Sequence, residues 1–187
     1  EYEKVILTQN SHAGYYPGAK TMTLKLIFER KSLKILGAQI VGYDGVDKRI
    51  DVIAIAIRAG LRADWLKDLD LAYAPPYSSA KDPVNMAGFV AENIKNGVVK
   101  QFYYEDIPAL REREDVILLD TRTPFEYMRG RADGFVNIPL DDLRERIGEL
   151  DKSKKIYVMC QSGLRSYLAT RILMQNGFDV YNFAGGF

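Results

Sequence analysis

Residues 155–178, KIYVMCQSGLRSYLATRILMQNGF, join a β-type run to a helical one with almost nothing between them. KIYVM is short, apolar and bounded by polar residues, as a buried strand is. SYLATRILMQNG carries helical spacing and closes at Gly177. Cys160, the only cysteine of the chain, stands at the join and opens the tight loop CQSGLR. At such a strand-to-helix turn the first backbone N–H groups of the helix have no intrahelical acceptor, so they converge on an anion in the loop, and the helix dipole adds to the effect. With the Arg165 guanidinium nearby, this placement lowers a thiol pKa below its usual value of about 8.5 and makes a usable nucleophile. Gly163 supplies either a backbone angle or a close approach that a Cβ would block, and Ser166 is placed to cap the helix. A lone cysteine is ordinarily a small buried hydrophobe. The C-x4-R-S context argues for chemistry here instead.

Working outward, DVILLD reads as another buried strand, and TRTPFEYMRG follows it with Thr123 as N-cap, Pro124 at N1 and Glu126 at N3, a capping-box arrangement. GFVNIPL, the amphipathic DDLRERIGEL and the strand DVYNF complete the pattern. Four strands alternating with helices imply a parallel sheet covered on both faces, an α/β unit. The residues before it have another rhythm. EYEKVILTQN, TMTLKLIFER and LKILGAQIVGY are three β-type runs separated by YYPGAK and the polar ERKS, which gives an antiparallel meander. Residues 48–60, KRIDVIAIAIRAG, are ambiguous: β-branched density argues for a strand, but Ile50, Ile53, Ala54 and Ile57 keep helical spacing and Gly60 makes a natural C-cap. A buried helix is the expectation. A short helix at ADWLKDL, the turn-rich YAPPYSSAKDP and a helix from about Pro83 to Asn96-Gly97 follow. The chain therefore divides into an α+β unit, residues 1–97, and an α/β unit, residues 101–187.

Composition narrows the function classes. The 187 residues are 47% apolar, enough for a core in each unit. With 26 basic and 25 acidic side chains and no long single-sign run, neither a nucleic-acid footprint nor a polybasic membrane patch is expected. No apolar stretch approaches the roughly 20 residues of a membrane span. One cysteine cannot form an intramolecular disulfide, and no cluster has metal-ligand spacing, so no metal is expected and a reducing cytoplasm fits best. The chain opens on Glu1 in what reads like the middle of a strand, the pattern of a piece of a longer protein.

From about Gln101 onward the sequence resembles the rhodanese family of sulfurtransferases. VILLDTRTPFEYMRG is similar to its aspartate-x-arginine segment, with Asp120, Arg122 and Glu126 in matching places; NIPLDDL and VYNFAGG match later junctions. The resemblance implies that Cys160 accepts a sulfane sulfur as a persulfide and passes it to an acceptor thiol, with Gln161, Ser162, Gly163, Leu164, Arg165 and Ser166 forming the loop that holds it. Phosphatase loops of similar design carry one more residue between cysteine and arginine and usually a histidine before the cysteine, where this chain has Met159. The tighter ring suits a single sulfur. GRADGF departs from the family pattern at Arg131, Asp133 and Phe135, which bears on the substrate rim, and Asp120 and Arg122 read as structural. The chain ends at Gly185-Gly186-Phe187, short of the last helix such domains usually have.

The first unit resembles the C-terminal dimerisation domain of pyridine nucleotide-disulfide oxidoreductases, through SHAGYYPGAKTMTLKLIF, ILGAQIVGYDGVDKRIDVIAIAI and LAYAPPYSSAKDPVNMAGF. The branch it resembles holds coenzyme A-disulfide reductases, NADH oxidases and persulfide reductases. That implies a homodimer, FAD and NAD(P)H in the whole enzyme, and small sulfur substrates such as coenzyme A disulfide, persulfide, polysulfide or thiosulfate. No G-x-G-x-x-G fingerprint occurs in these residues, so neither dinucleotide is expected to bind them alone. Tyr15 and Tyr73 align with tyrosines that, in coenzyme A-disulfide reductases, reach into the partner's active site, where a phenol could protonate a leaving thiolate. Tyr16 and Tyr77 are near enough to compete for that assignment. His12 reads as a structural loop histidine, and the APP turn and DKRID segment also read as structural. Two functions remain open: the C-terminal part of a flavin-dependent disulfide or persulfide reductase whose tail delivers sulfur from Cys160, or a non-catalytic dimerisation and interaction module with an inert tail.

Overall fold

A computed structural model describes all 187 residues, which separate into two compact units, Glu1–Asn96 and Gly97–Phe187. In the first, β1 (Tyr2–Asn10), β2 (Thr21–Glu29) and β3 (Ile35–Gly42) form an antiparallel sheet in the order β1-β2-β3. Period-two patterning sets its faces: Met22, Leu24, Leu26 and Phe28 of β2 all point into the core, while the alternate residues do not.

The ambiguous segment is helical, α1 (Val46–Arg58), and Gly60 follows it with a positive φ of 72° as a helix-terminating glycine does. Its buried stripe is Arg49, Ile53 and Ala56, whereas Ala54, Ile55 and Ile57 lie on the exposed side. The expected face of Ile50, Ile53, Ala54 and Ile57 is thus rotated, and the helix is half-buried. Arg49 occupies a place on that buried stripe, its guanidinium paired with Asp82 at 2.9 Å. After a 3₁₀ turn at Ala63–Asp68, α2 (Pro83–Lys95) begins with a complete capping box, Asp82 accepting from Val84 N–H and Asn85 Oδ1 accepting from Asp82 N–H at 3.1 Å. Asn85 Nδ2 also donates to the carbonyls of Leu66 (3.0 Å) and Leu69 (2.9 Å), binding the helix to the turn. Val5, Leu26, Phe28, Ile53, Leu66, Val84 and Ala87 fill the core between sheet and helices.

The second unit contains β4 (Gln101–Phe102), α3 (Ile107–Arg111), β5 (Val116–Asp120), α4 (Pro124–Arg129), β6 (Val136–Asn137), α5 (Leu143–Arg146), β7 (Lys155–Met159), α6 (Leu164–Gln175) and β8 (Val180–Phe183). The parallel sheet has five strands, in the order β4-β8-β7-β5-β6, one more than the sequence pattern shows. The extra strand, β4, is two residues long at an edge. The segment expected as one amphipathic helix at DDLRERIGEL breaks into α5 and a 3₁₀ turn at Ile147–Glu149. Side chains alternate across the sheet: Ile156, Val158 and Val180 pack with Ala169 and Leu173 of α6, while Tyr157, Met159 and Phe183 pack with Phe102 and Ile107. From β5 the winding goes outward to β6, and from β7 it goes the other way to β8. Ligand sites of open parallel sheets lie beyond the carboxyl ends of the strands at such a reversal. Asp120 and Met159 are register partners there, so the loops after β5 and β7 emerge side by side.

Gly88, in α2, lies against the backbone of Leu66 and Lys67, where a Cβ would collide with the chain. An alanine inside a helix normally gains up to about 1 kcal/mol over glycine. Here the clash outweighs it, and Gly88→Ala is expected to cost about 1–3 kcal/mol, read as a lower urea midpoint for the first unit; an unchanged or raised midpoint would show that the turn yields freely.

Candidate functional site

Cys160 leaves the end of β7 and is 1% exposed. Gly163 N–H donates to its Sγ at 3.1 Å, and the thiol in turn reaches Ser166 Oγ at 3.4 Å. This geometry depends on the backbone of Gly163, whose φ of 98° belongs to the left-handed region. Of the two roles open to this glycine, the angle is the operative one, since a Cβ there would meet open space. Gly163 itself occupies the N-cap of α6 with no side-chain cap. Ser166 therefore does not cap the helix: it sits in the first turn, fully buried, and its hydroxyl donates to Gly163 O at 3.0 Å, bracing the loop beneath the sulfur.

Arg165 forms a two-pronged ion pair with Glu126, both N–O distances 2.7 Å. Glu126 is also the far end of the α4 capping box, taking Thr123 N–H and Oγ1–H at 2.9 Å each. One carboxylate thus fastens the start of α4 to the start of α6. The Arg165 guanidinium beside it, helped by the Thr123 donors, pulls the Glu126 pKa down to about 2. Arg165 remains close enough to interact electrostatically with Cys160 while its charge is shared with Glu126. The sequence showed the capping role of Glu126 but not this partnership across 39 positions.

The loop after β5 is braced separately. Arg122 and Asp120, both buried, pair through Nε at 3.0 Å and Nη2 at 2.8 Å. Arg122 also donates to Gly130 O at 2.8 Å, and Asn137 Nδ2 donates to the carbonyls of Asp120 and Arg122 at 2.9 Å. Thr121 N–H joins this loop to the Cys160 strand through Met159 O at 2.9 Å. These two residues hold strand and loop together. On the other side, Phe187 N–H donates to Cys160 O at 3.0 Å, and Gly186 lies so near Gln161 O that a Cβ would collide with it. Gln161, Ser162 and Leu164 are exposed at the mouth of the loop. Phe125 and Met128 of α4 and Leu164 and Leu168 of α6 are large, apolar and exposed.

In the first unit Tyr15 and Tyr73 come together: their hydroxyls are 3.0 Å apart. Tyr73 lines a cavity of about 340 Å³ with Lys48, Ala72, Ala74 and Tyr77. The hydrogen bond to Tyr15 raises the Tyr73 phenol above its ordinary pKa. Tyr16 instead meets His12 edge-on, ring centroids 5.8 Å apart. His12 is buried, its Nδ1 3.2 Å from Ala13 O. No group of three His, Cys, Asp or Glu side chains is assembled to hold a metal ion, and no helix is long and apolar enough to cross a membrane.

Comparison with known families gives two matches. The profile of the pyridine nucleotide-disulphide oxidoreductase dimerisation domain matches residues 1–84, and that of the rhodanese-like domain matches residues 104–187. The chain is a dimerisation domain of this oxidoreductase family joined to a rhodanese-like domain. Among curated relatives, the coenzyme A disulfide reductase of Staphylococcus aureus (strain bovine RF122 / ET3-1) is 45% identical over 92 residues, 49% of this chain and 21% of the relative. That of Staphylococcus haemolyticus (strain JCSC1435) is 45% identical over 94 residues, 50% of this chain and 21% of the relative. Over its whole length the chain is similar to the crystal structure of reduced Bacillus anthracis CoADR-RHD (52% identity, TM-score 0.96, 33% of that chain). It is likewise similar over its whole length to a NAD-dependent persulfide reductase from A. fulgidus (43% identity, TM-score 0.87, 33% of that chain). The chain spans about a fifth of the length of these curated relatives and a third of these structures.

The rhodanese-like domain carries a built-in acid dependence. Because the Glu126 pKa lies near 2 in the folded state, below its ordinary 4.5, the pairing stabilises the domain fully above about pH 4.5 and is lost as the pH falls through 2. Acid titration followed by circular dichroism should show this loss in the native chain and a flatter profile in Glu126→Gln, which is less stable at neutral pH; parallel profiles would mean the ion pair contributes nothing.

Proposed function

We propose that this chain is the dimer-forming and sulfur-handling part of an FAD-dependent, NAD(P)H-using coenzyme A disulfide or persulfide reductase. The observation that carries the reading is Cys160 Sγ held under the Gly163 amide at the N-terminus of α6, with 3.1 Å between nitrogen and sulfur. The thiolate attacks the outer sulfur of a sulfane donor. The donor's S–S bond breaks, its electron pair leaves with the displaced thiolate or sulfite, and Cys160 keeps the transferred sulfur as a persulfide. An acceptor thiolate then takes that sulfur, and the Cys160 thiolate is restored. The loop amides of α6 and its dipole stabilise the anion at both stages. Gln161, Ser162 and Leu164, exposed at the mouth, are the residues a donor meets first, and Arg165 supports the field while locked to Glu126.

The residues present do not fit a flavin or nicotinamide dinucleotide. In the loop after β7 the Gly163 amide is already taken by Cys160 Sγ, and no G-x-G-x-x-G stands in the sequence. Coenzyme A, FAD and NAD(P)H belong to the whole enzyme in this proposal. Support for a homodimer comes from the dimerisation-domain match and from Leu36, Val41 and Tyr43 around β3 and Ile55 of α1, all large, apolar and exposed. Within the dimer, Tyr15 and Tyr73 serve the partner's reducing centre as the proton source for a leaving thiolate.

Two measurements test this. Incubation with thiosulfate should add one sulfur atom to Cys160 by mass spectrometry, and cyanide should remove it as thiocyanate. Cys160→Ser should abolish both, and Gly163→Ala, strained by about 1–3 kcal/mol at its left-handed backbone, should slow transfer roughly tenfold or more; a serine variant as active as the native chain removes the sulfur-transfer reading. In sedimentation equilibrium the chain should run as a dimer, and a clean monomer would leave the tyrosines no partner to serve.

A further inference from the structure

We infer that Arg49 is the positioning residue of the Tyr15–Tyr73 hydroxyl pair. The two tyrosines stand on separate loops, residues 11–16 and 72–78, both largely without regular structure and both exposed at their tips: Tyr15 is 78% exposed and Tyr73 49%. Surface loops of this kind do not by themselves hold two hydroxyls at 3.0 Å. Arg49, from α1, lies beneath them and is only 1% exposed. Its Nη2 donates to Ser11 O at 2.6 Å, in the first loop, and to Tyr77 O and Ser78 Oγ at 3.4 Å each, in the second. Nη1 donates to Gly45 O at 3.0 Å, and Nε to Asp82 Oδ2 at 3.1 Å. Asp82 also takes Ser78 Oγ–H at 2.7 Å and caps α2, so the guanidinium ties each tyrosine loop to a fixed helix end. Above it the loops join directly, Ala13 N–H donating to Ser78 O at 3.0 Å. Lys48, the residue before, donates to Ala72 O at 3.3 Å and holds the entry of the second loop.

Stability alone does not account for an arginine in this place, because a buried ion pair is commonly replaced by apolar groups of similar volume without loss. What an apolar pair cannot do is bind carbonyls from two loops at once. A lysine cannot either: it keeps the charge but lacks the planar fork of donors. The sequence makes room for the fork at Gly45, where a Cβ would collide with the Arg49 guanidinium.

The catalytic meaning of the inference rests on the proposed role of the tyrosine pair, but its test does not. The chain is labelled with tyrosine carrying carbon-13 at the ring carbon bonded to oxygen, and the Tyr73 resonance is titrated. In the native chain Tyr73 should titrate above the ordinary phenol value of about 10, and Tyr15→Phe should return it there. Arg49→Lys should produce the same return while circular dichroism and persulfidation of Cys160 stay unchanged. A folded Arg49→Lys in which Tyr73 titrates as in the native chain overturns the inference. Should the lysine variant fail to fold, Arg49→Met combined with Asp82→Asn, which keeps a capping side chain and leaves no unpaired charge, gives the same reading with the same two outcomes. If both Tyr15→Phe and Arg49→Lys release Tyr73 but leave disulfide reduction by the whole enzyme untouched, Arg49 still positions the pair, and it is the proton-source reading that fails.

Discussion

A peptide amide can be aimed at the sulfur of Cys160 only if the chain reverses within three residues, and that reversal passes through the left-handed backbone of Gly163. Everything nearby holds the reversal in place. Ser166 closes it from below through Gly163 O, and the Arg165–Glu126 fork stops α6 from rotating away from α4. The Asp120–Arg122 pair and Asn137 keep the neighbouring loop from moving into the space. The loop is thus preorganised by hydrogen bonds of its own, with the charge-assisted Arg165–Glu126 and Arg122–Asp120 pairs, stronger than neutral ones, bracing the elements around it.

The first unit solves a comparable problem by another route. There the groups to be brought together are two phenols on exposed loops, and no strand or helix carries them. Order is supplied from below by one cation with several donors, at the price of burying it. Asp82 offsets that cost, and because Asp82 is also the N-cap of α2 the loops inherit the rigidity of a thirteen-residue helix. Both units therefore position the groups of the proposed chemistry with the help of a helix N-terminus, one through a backbone amide and one through a capping carboxylate.

Much of this was legible in the sequence, and what was not has physical reasons. The alternation of period-two and helical patterns gave the two architectures, because apolar periodicity is local. Cys160 and its loop stood out because strand, loop and helix adjoin there without interruption. The strand β4 escaped because two residues at a sheet edge have no periodicity. The buried face of α1 was misjudged because the rule that apolar residues face inward does not foresee an arginine drawn in by an aspartate 33 positions away. DKRID read as structural, but without the buried arginine that gives it that role. Tyr15 and Tyr73 were singled out only through family resemblance, and neither their meeting across 58 positions nor the link from Arg165 to Glu126 was foreseen, since neither pair leaves a local pattern.

The near-complete enclosure of Cys160 has its own consequence. A cysteine residue only 1% exposed is hard to reach for a reagent whose reactive atom is flanked by bulk. Groups slender at the tip, such as a terminal sulfur on an unbranched arm or a small oxyanion arriving sulfur first, are the least obstructed by such burial. Burial of this degree makes the shape of an incoming molecule matter before any bond is made.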